Sequence, residues 1–289
     1  MLLAHDIDVQ LVVTHQDDPG ETLWFERVSD VAREHGLPVI TPADPNAADA
    51  VARVAACAPD FLFSFYYRRM LGPGLLALPP RGALNLHGSL LPRYRGRAPV
   101  NWAVLQGESH TGATLHYMAA KPDAGDIVGQ QAVPILPDDT AREVFDKVTV
   151  AAEIVLDAAL PRLIAGTAPR VAQDLSRGAY FGARRPEDGR IDWSASARRI
   201  HDLVRAVAPP YPGAFTMLAG QRARVLATRV ADAGAPAGTP ALRVRDGRIV
   251  AQCGGGGTLA LYSLEIDGAP VDARAFSERF GAHPVAPDR

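Results

Sequence analysis

The sequence predicts an α/β fold, with a mostly parallel sheet and crossover helices over residues 1–186 and a small β-rich domain over residues 187–289. Three observations lead there. Short β-rich runs alternate with helical periodicities as far as Gly166. After about residue 186 most of the helical signal gives way to short strands and tight turns. The composition, 47% hydrophobic and 21% charged over 289 residues, is that of a globular chain able to enclose a core and a cleft.

In the first part, strands are expected at Val9 to Thr14, Phe61 to Phe65, Ala83 to His87, Thr114 to Met118 and Ile127 to Ala132. Trp24, Val28, Val31 and Ala32 recur at i, i+4, i+7 and i+8, one face of a helix that Gly36 ends. A second helix covers Ala47 to Ala56. Thr140-Ala141-Arg142-Glu143 is a capping box, opening a helix that turns Val144, Phe145, Val148, Ile154 and Val155 inward and stops at Gly166. In the second part a helix near Ala195 to Val207 precedes Pro209-Pro210-Tyr211-Pro212-Gly213. Asp246-Gly247 is a hairpin turn between Leu242 to Arg245 and Arg248 to Gln252. Gly254 to Gly257 leads into the strand Thr258 to Ile266 with no helix after it, so it reads as a turn and not as a phosphate loop. These strands suit a five-stranded barrel.

The formal net charge is −2, and only Lys121 and Lys147 are lysines, so no global positive field draws nucleic acid. No apolar run reaches the ~18 to 20 residues of a membrane span. Cys57 and Cys253 stand too far apart for a CxxC site, and the eight histidines show no paired-ligand spacing; no metal is expected, and a reducing cytoplasm is the natural setting.

The chemistry-bearing stretch is Asn85-Leu86-His87-Gly88-Ser89-Leu90-Leu91-Pro92. Residues two apart in a strand face the same side, which brings the Asn85 amide and the His87 imidazole to one spot at the carboxyl end of a sheet strand. An amide donor beside a histidine suits acyl transfer, where an oxyanion is stabilised and a proton moved. The same residues also fit a turn cap and a strand-end histidine. Asp123 or Asp126, in Pro122-Asp123-Ala124-Gly125-Asp126, could orient the histidine, or serve turn chemistry alone. Arg93-Tyr94-Arg95-Gly96-Arg97 is a cationic loop suited to phosphate or carboxylate, or to solvent. Phe65-Tyr66-Tyr67-Arg68-Arg69 sets stackable rings beside guanidiniums, as a nucleotide or pteridine would need, or as aromatic packing would. Ser89 lacks the surroundings of an activated nucleophile.

Together the Asn85 to Pro92 stretch, the loop ending Arg97-Ala98-Pro99 and Pro122 to Asp126 resemble, in order and spacing, the formyltransferases that use 10-formyltetrahydrofolate, nearly end to end. Phe65-Tyr66-Tyr67-Arg68, Gly96-Arg97-Ala98-Pro99-Val100-Asn101-Trp102, Phe181 to Asp188 and Pro212-Gly213-Ala214-Phe215 look like the branch that formylates UDP-4-amino-4-deoxy-L-arabinose in lipid A modification and polymyxin resistance. The runner-up is methionyl-tRNA formyltransferase, against which the acidic pI of about 6.4 counts.

The resemblance implies a Rossmann-like catalytic domain and an OB-like barrel. It implies His87 for proton transfer, Asn85 as oxyanion donor, and Asp123 as the partner that orients His87 and raises its pKa. Folate would be held by Arg69, Met70, Leu71, Arg97 and the loop Ala119, Ala120, Lys121, Pro122 and Asp123, and the nucleotide sugar by Tyr66, Tyr67, Ser89 and Arg95. Nucleic acid and membrane insertion are not implied; a homodimer through the β-rich part is compatible. Members of this family carry a first strand, central in the sheet, ahead of the segment matching Met1 to His5, and this chain has no counterpart to it. Loss of a central parallel strand would unpair its neighbours, so a degenerate relative that binds folate or nucleotide without turnover is the expected alternative of another class.

Overall fold

The structure, a computed structural model, describes residues 1–17 and 24–288. The chain packs into two compact units. The first comprises 1–96, 111–133 and 147–181; the second comprises 97–110, 134–146 and 182–289.

Elements in chain order are β1 (Val12–Val13), α1 (Val28–Glu34), β2 (Val39–Ile40), α2 (Ala48–Ala56), β3 (Leu62–Phe65), α3 (Pro73–Leu76), β4 (Ala83–His87), β5 (Arg95–Gly96), α4 (Pro99–Leu105), β6 (His110–Tyr117), β7 (Ile127–Pro134) and α5 (Ala141–Ala165). They continue as β8 (Tyr180–Phe181), α6 (Ala197–Ala206), β9 (Ala214–Leu218), β10 (Gln221–Asp232), β11 (Ala241–Arg245), β12 (Arg248–Gln252), β13 (Thr258–Ile266), β14 (Ala269–Pro270) and α7 (Ala273–Phe280).

In the first unit a four-stranded sheet runs β3-β4-β6-β7, with β3 and β4 parallel and β6 antiparallel to β4. β1 and β2 form a separate parallel pair. Among the described residues no strand pairs with the remaining edge of β1 or of β3, and Leu3–His5 forms a 3-10 turn. Leu84, Leu115 and Ala113 are fully buried, as are Val148 and Leu160 of α5. A cavity of about 310 Å³ is lined by Phe65 and Tyr66, by Leu86 of β4, and by Ala152 and Leu156 of α5.

The α5 capping box forms as expected: the Thr140 N–H donates to Glu143 Oε2 at 2.7 Å, and the Glu143 N–H donates to Thr140 Oγ1 at 3.3 Å. Two residues expected to face inward do not. Val28 is 56% exposed because α1 begins there, and Ile154 is 50% exposed because it lies one step of about 100° off the buried stripe of Val144, Val148, Ala152 and Val155.

The second unit's main sheet runs β11-β12-β13-β10-β9, with β14 on β13. Asp246 and Gly247, both at positive φ, make the tight turn between β11 and β12. The C-terminal segment bridges the two outer strands, Val285 to Leu242 of β11 and Pro287 to Leu218 of β9, which closes the sheet on itself. Inside lie Ile200 and Val204 of α6 with Leu218, Val225, Leu242, Leu259, Ile266 and Phe276.

Candidate active site

The sequence places a histidine at the end of β4 and an asparagine two residues before it, and both side chains emerge on the same face of the strand. His87 is 6% exposed. Its Nε2 lies 2.9 Å from the Tyr94 carbonyl oxygen, which can only accept, so Nε2 carries the hydrogen. A neutral His87 therefore has its lone pair on Nδ1, which lies 3.7 Å from Asp123 Oδ1. Burial lowers the His87 pKa and outweighs the upward pull of Asp123. This corrects the expectation of a raised value: the ring rests neutral, and the Tyr94 carbonyl makes its one close contact.

The turn that supplies that carbonyl is braced by Ser89, which is fully buried and donates to Arg93 O at 2.7 Å. Thr114 donates to Ser89 O at 2.6 Å and accepts from Leu91 N–H at 3.1 Å. Tyr94 stacks on Phe181, with centroids 5.0 Å apart. Ser89 thus shapes the loop. Arg95 is 6% exposed, with Nη2 donating to Gly178 O at 3.3 Å.

Asp123 sits at positive φ in the loop after β6. Gln173 Nε2 donates to the carbonyls of Asp123 and Gly125, at 3.1 and 2.6 Å, and pins the turn. Gly125 is required there, because a Cβ would lie 2.0 Å from Tyr117 O. Asp123 Oδ2 accepts from the Gly96 N–H at 2.8 Å. Burial pushes this carboxyl up, but His116, His87 and the Gly96 N–H more than offset that, and its pKa lies below the ordinary value.

His116 was not singled out from sequence. It lies directly across from Asn85 in the β4–β6 register, 1% exposed, with Nε2 3.1 Å from Asn85 Nδ2 and 3.6 Å from Asp123 Oδ1. Strand alternation puts it on one face with Thr114; its pairing with Asn85 is visible only once the register is known.

The remaining expected residues lie on loops around strand ends. Arg69 and Met70 are exposed after β3, and Asn46 holds this loop by bonding Met70 O and the Gly72 N–H. Leu71 is half-buried. Ala119, Ala120 and Lys121 are exposed and Pro122 half-buried on the approach to Asp123; Arg97 is exposed. Tyr66 lines the cavity, and Tyr67 packs near His15, with ring centroids 6.4 Å apart. The structure thus gathers Asn85, His87 and Asp123 into one cluster and adds His116. Among the described residues no group of three or more His, Cys, Asp or Glu could hold a metal ion, and no helix is long and apolar enough to cross a membrane.

Residues 3–160 match the family model described as formyl transferase, and residues 184–281 match formyl transferase, C-terminal domain. The chain belongs to the formyl transferase family. This formyltransferase is similar in fold to an N-formyltransferase from Helicobacter canadensis, solved with folinic acid and dTDP-3-aminofucose, at 19% identity and TM-score 0.66 over 87% of this chain and 88% of that one. It is similar to WlaRD, a sugar 3N-formyl transferase solved with dTDP and 5-N-formyl-THF, at 17% identity and TM-score 0.69 over 90% of each chain. A 4-N formyltransferase from Francisella tularensis matches at 23% identity and TM-score 0.55, over 65% of this chain and 76% of that one.

Proposed function

We propose that this formyltransferase moves the formyl group of 10-formyltetrahydrofolate to the 4-amino group of UDP-4-amino-4-deoxy-L-arabinose or a closely related amino sugar nucleotide, in lipid A modification in the cytoplasm. The observation that carries this is the cluster of neutral His87, Asn85 and Asp123 at the end of β4. The sugar-branch segments around Tyr66, Arg97 and Phe215 support the acceptor, as do the folate and dTDP-sugar ligands of the similar enzymes.

The neutral amine attacks the formyl carbon and a tetrahedral oxyanion forms. The proton lost by the amine goes to His87 Nδ1, the only free lone pair of that ring, where Asp123 stabilises the new charge. As the carbon–nitrogen bond to the folate breaks, the same proton passes to the departing folate nitrogen. Burial, which keeps His87 neutral at rest, leaves it ready to accept that proton.

The test is incubation of the purified protein with 10-formyltetrahydrofolate and UDP-4-amino-4-deoxy-L-arabinose, with formyl-accepting methionyl-tRNA in parallel. Mass spectrometry should show the gain of one CO on the sugar nucleotide and none with His87→Ala. Formylation of the tRNA alone would select the runner-up. Folate binding with neither product would identify a relative without turnover.

A further inference from the structure

His116 Nδ1 lies 2.8 Å from the Tyr117 carbonyl oxygen. A carbonyl only accepts, so Nδ1 carries a hydrogen and a neutral His116 has a bare lone pair on Nε2. The atom 3.1 Å from that lone pair is Asn85 Nδ2, which donates to it. The second amide hydrogen is directed to Asp123 Oδ1 at 3.5 Å. Both Asn85 hydrogens are therefore turned into the protein, and Oδ1 is the end left for a ligand. A carbonyl oxygen suits the N–H of an incoming amine, but it repels the oxyanion that follows, which needs a donor.

A proton on His116 Nε2 reverses the arrangement. The imidazolium has no lone pair to receive the amide, and Nε2–H donates toward Asp123 Oδ1, 3.6 Å away. Asn85 then rotates its amide so that Oδ1 faces the ring and the NH₂ faces the reacting atoms. We propose that His116 is a positioning residue whose protonation state, set by exchange with solvent before substrate binds and unchanged through the turnover, selects which end of the Asn85 amide faces the substrate: the oxygen when His116 is neutral, the oxyanion-donating nitrogen when it carries a proton.

The titratable groups facing His116 are Asp123, from the loop after β6, and His87 on β4, whose ring centroid is 6.5 Å away. Both rings approach the same carboxylate oxygen, so Asp123 can stabilise a proton on either, while the rings oppose each other's charge. The inference rests on formyl transfer to an amine as the reaction of this site.

One arm of the test needs no substrate. In protein labelled with ¹⁵N, the ring nitrogens of His116 and the side-chain amide of Asn85 are followed through a pH titration by NMR. The expected result is the Nδ1–H tautomer at high pH, with the Asn85 signals moving at the midpoint of His116. The opposite tautomer, a His116 that stays neutral throughout, or Asn85 signals indifferent to its titration would overturn the proposal.

The second arm is kinetic. His116→Met should lower kcat by about tenfold or more with both KM values within about twofold, and His116→Gln, whose amide can either donate or accept, should recover part of that. A merely structural role would lower the melting temperature and leave kcat per folded molecule near wild type, which would overturn the proposal. If the wild type formylates no amine, the functional reading fails while the NMR arm still judges the switch.

Discussion

Two buried polar clusters built from the same kinds of residue differ in how completely their groups are paired. In the second unit, Arg205 is 2% exposed and donates to Asp202 Oδ1 at 2.8 Å, Asp139 O at 3.0 Å and Val104 O at 3.3 Å. His201, 2% exposed, has Nδ1 2.9 Å from Thr228 Oγ1 and Nε2 3.0 Å from Pro137 O. Each ring nitrogen has a close partner. In the first unit one ring nitrogen is left loose: His116 is held by Asn85 Nδ2 at 3.1 Å and the Tyr117 carbonyl at 2.8 Å, but His87 Nδ1 stands 3.7 Å from Asp123 Oδ1. The first pattern holds backbone segments in place. The second leaves the His87 Nδ1 lone pair free to take up a proton, which is what a reaction requires.

The largest effect is expected where slack is removed from the loose cluster. His87→Ala should lower kcat per folded molecule by ~10²- to 10⁴-fold, far more than the modest drop in melting temperature expected from losing its bond to the Tyr94 carbonyl, measured by formyl transfer and calorimetry on the same preparation. Retained activity would break the contrast from the catalytic side. Asp202→Ala should behave oppositely. It strands the buried Arg205 charge and should cost about 3–5 kcal/mol of stability in denaturant unfolding, with kcat per folded molecule near wild type.

Gly96→Ala tests how far the loose cluster depends on its frame. Gly96 has φ +102°, and a Cβ there would lie 2.1 Å from Phe181 O, so β5 must shift and carry its N–H away from Asp123. We expect a loss of about 1–3 kcal/mol and a fall in kcat smaller than that of His87→Ala.

The smallest effect is the pH dependence that both clusters share. Burial holds His87 and His201 below the usual histidine value of 6.5, so between their folded values and 6.5 the unfolded chain binds more protons. Stability is then full above pH 6.5 and declines as pH falls through the folded values. Thermal melts across that range should show the decline in wild type, and His201→Gln should flatten part of it.

The chemistry of β4 was legible because it rests on strand alternation, and Asn85 and His87 need only period two to share a face. From residue type Asp123 was legible only as one of two turn carboxylates; the family resemblance selected it over Asp126, and the structure places its Oδ1 3.7 Å from His87 Nδ1. His116 was hidden because its meaning depends on cross-strand register. The pair β1–β2 was half seen, since Val39–Ile40 is too short to leave a periodic signal. The burial of Ser89 and Arg95 was hidden because polar residue type says nothing of which backbone carbonyls a side chain will meet.

The second unit gathers residues 97–110 and 134–146 along with 182–289. Asn101 bonds Ala206 O, Arg205 bonds Val104 O and Asp139 O, and His201 meets Pro137 O. A single genetic crossover near residue 182 would therefore combine α6 from one parent with its helix and loop partners from another. Functional chimaeras of this chain should instead arise from exchanges that carry all three stretches as one block, so that recombination here follows contacts in space and not the order of the gene.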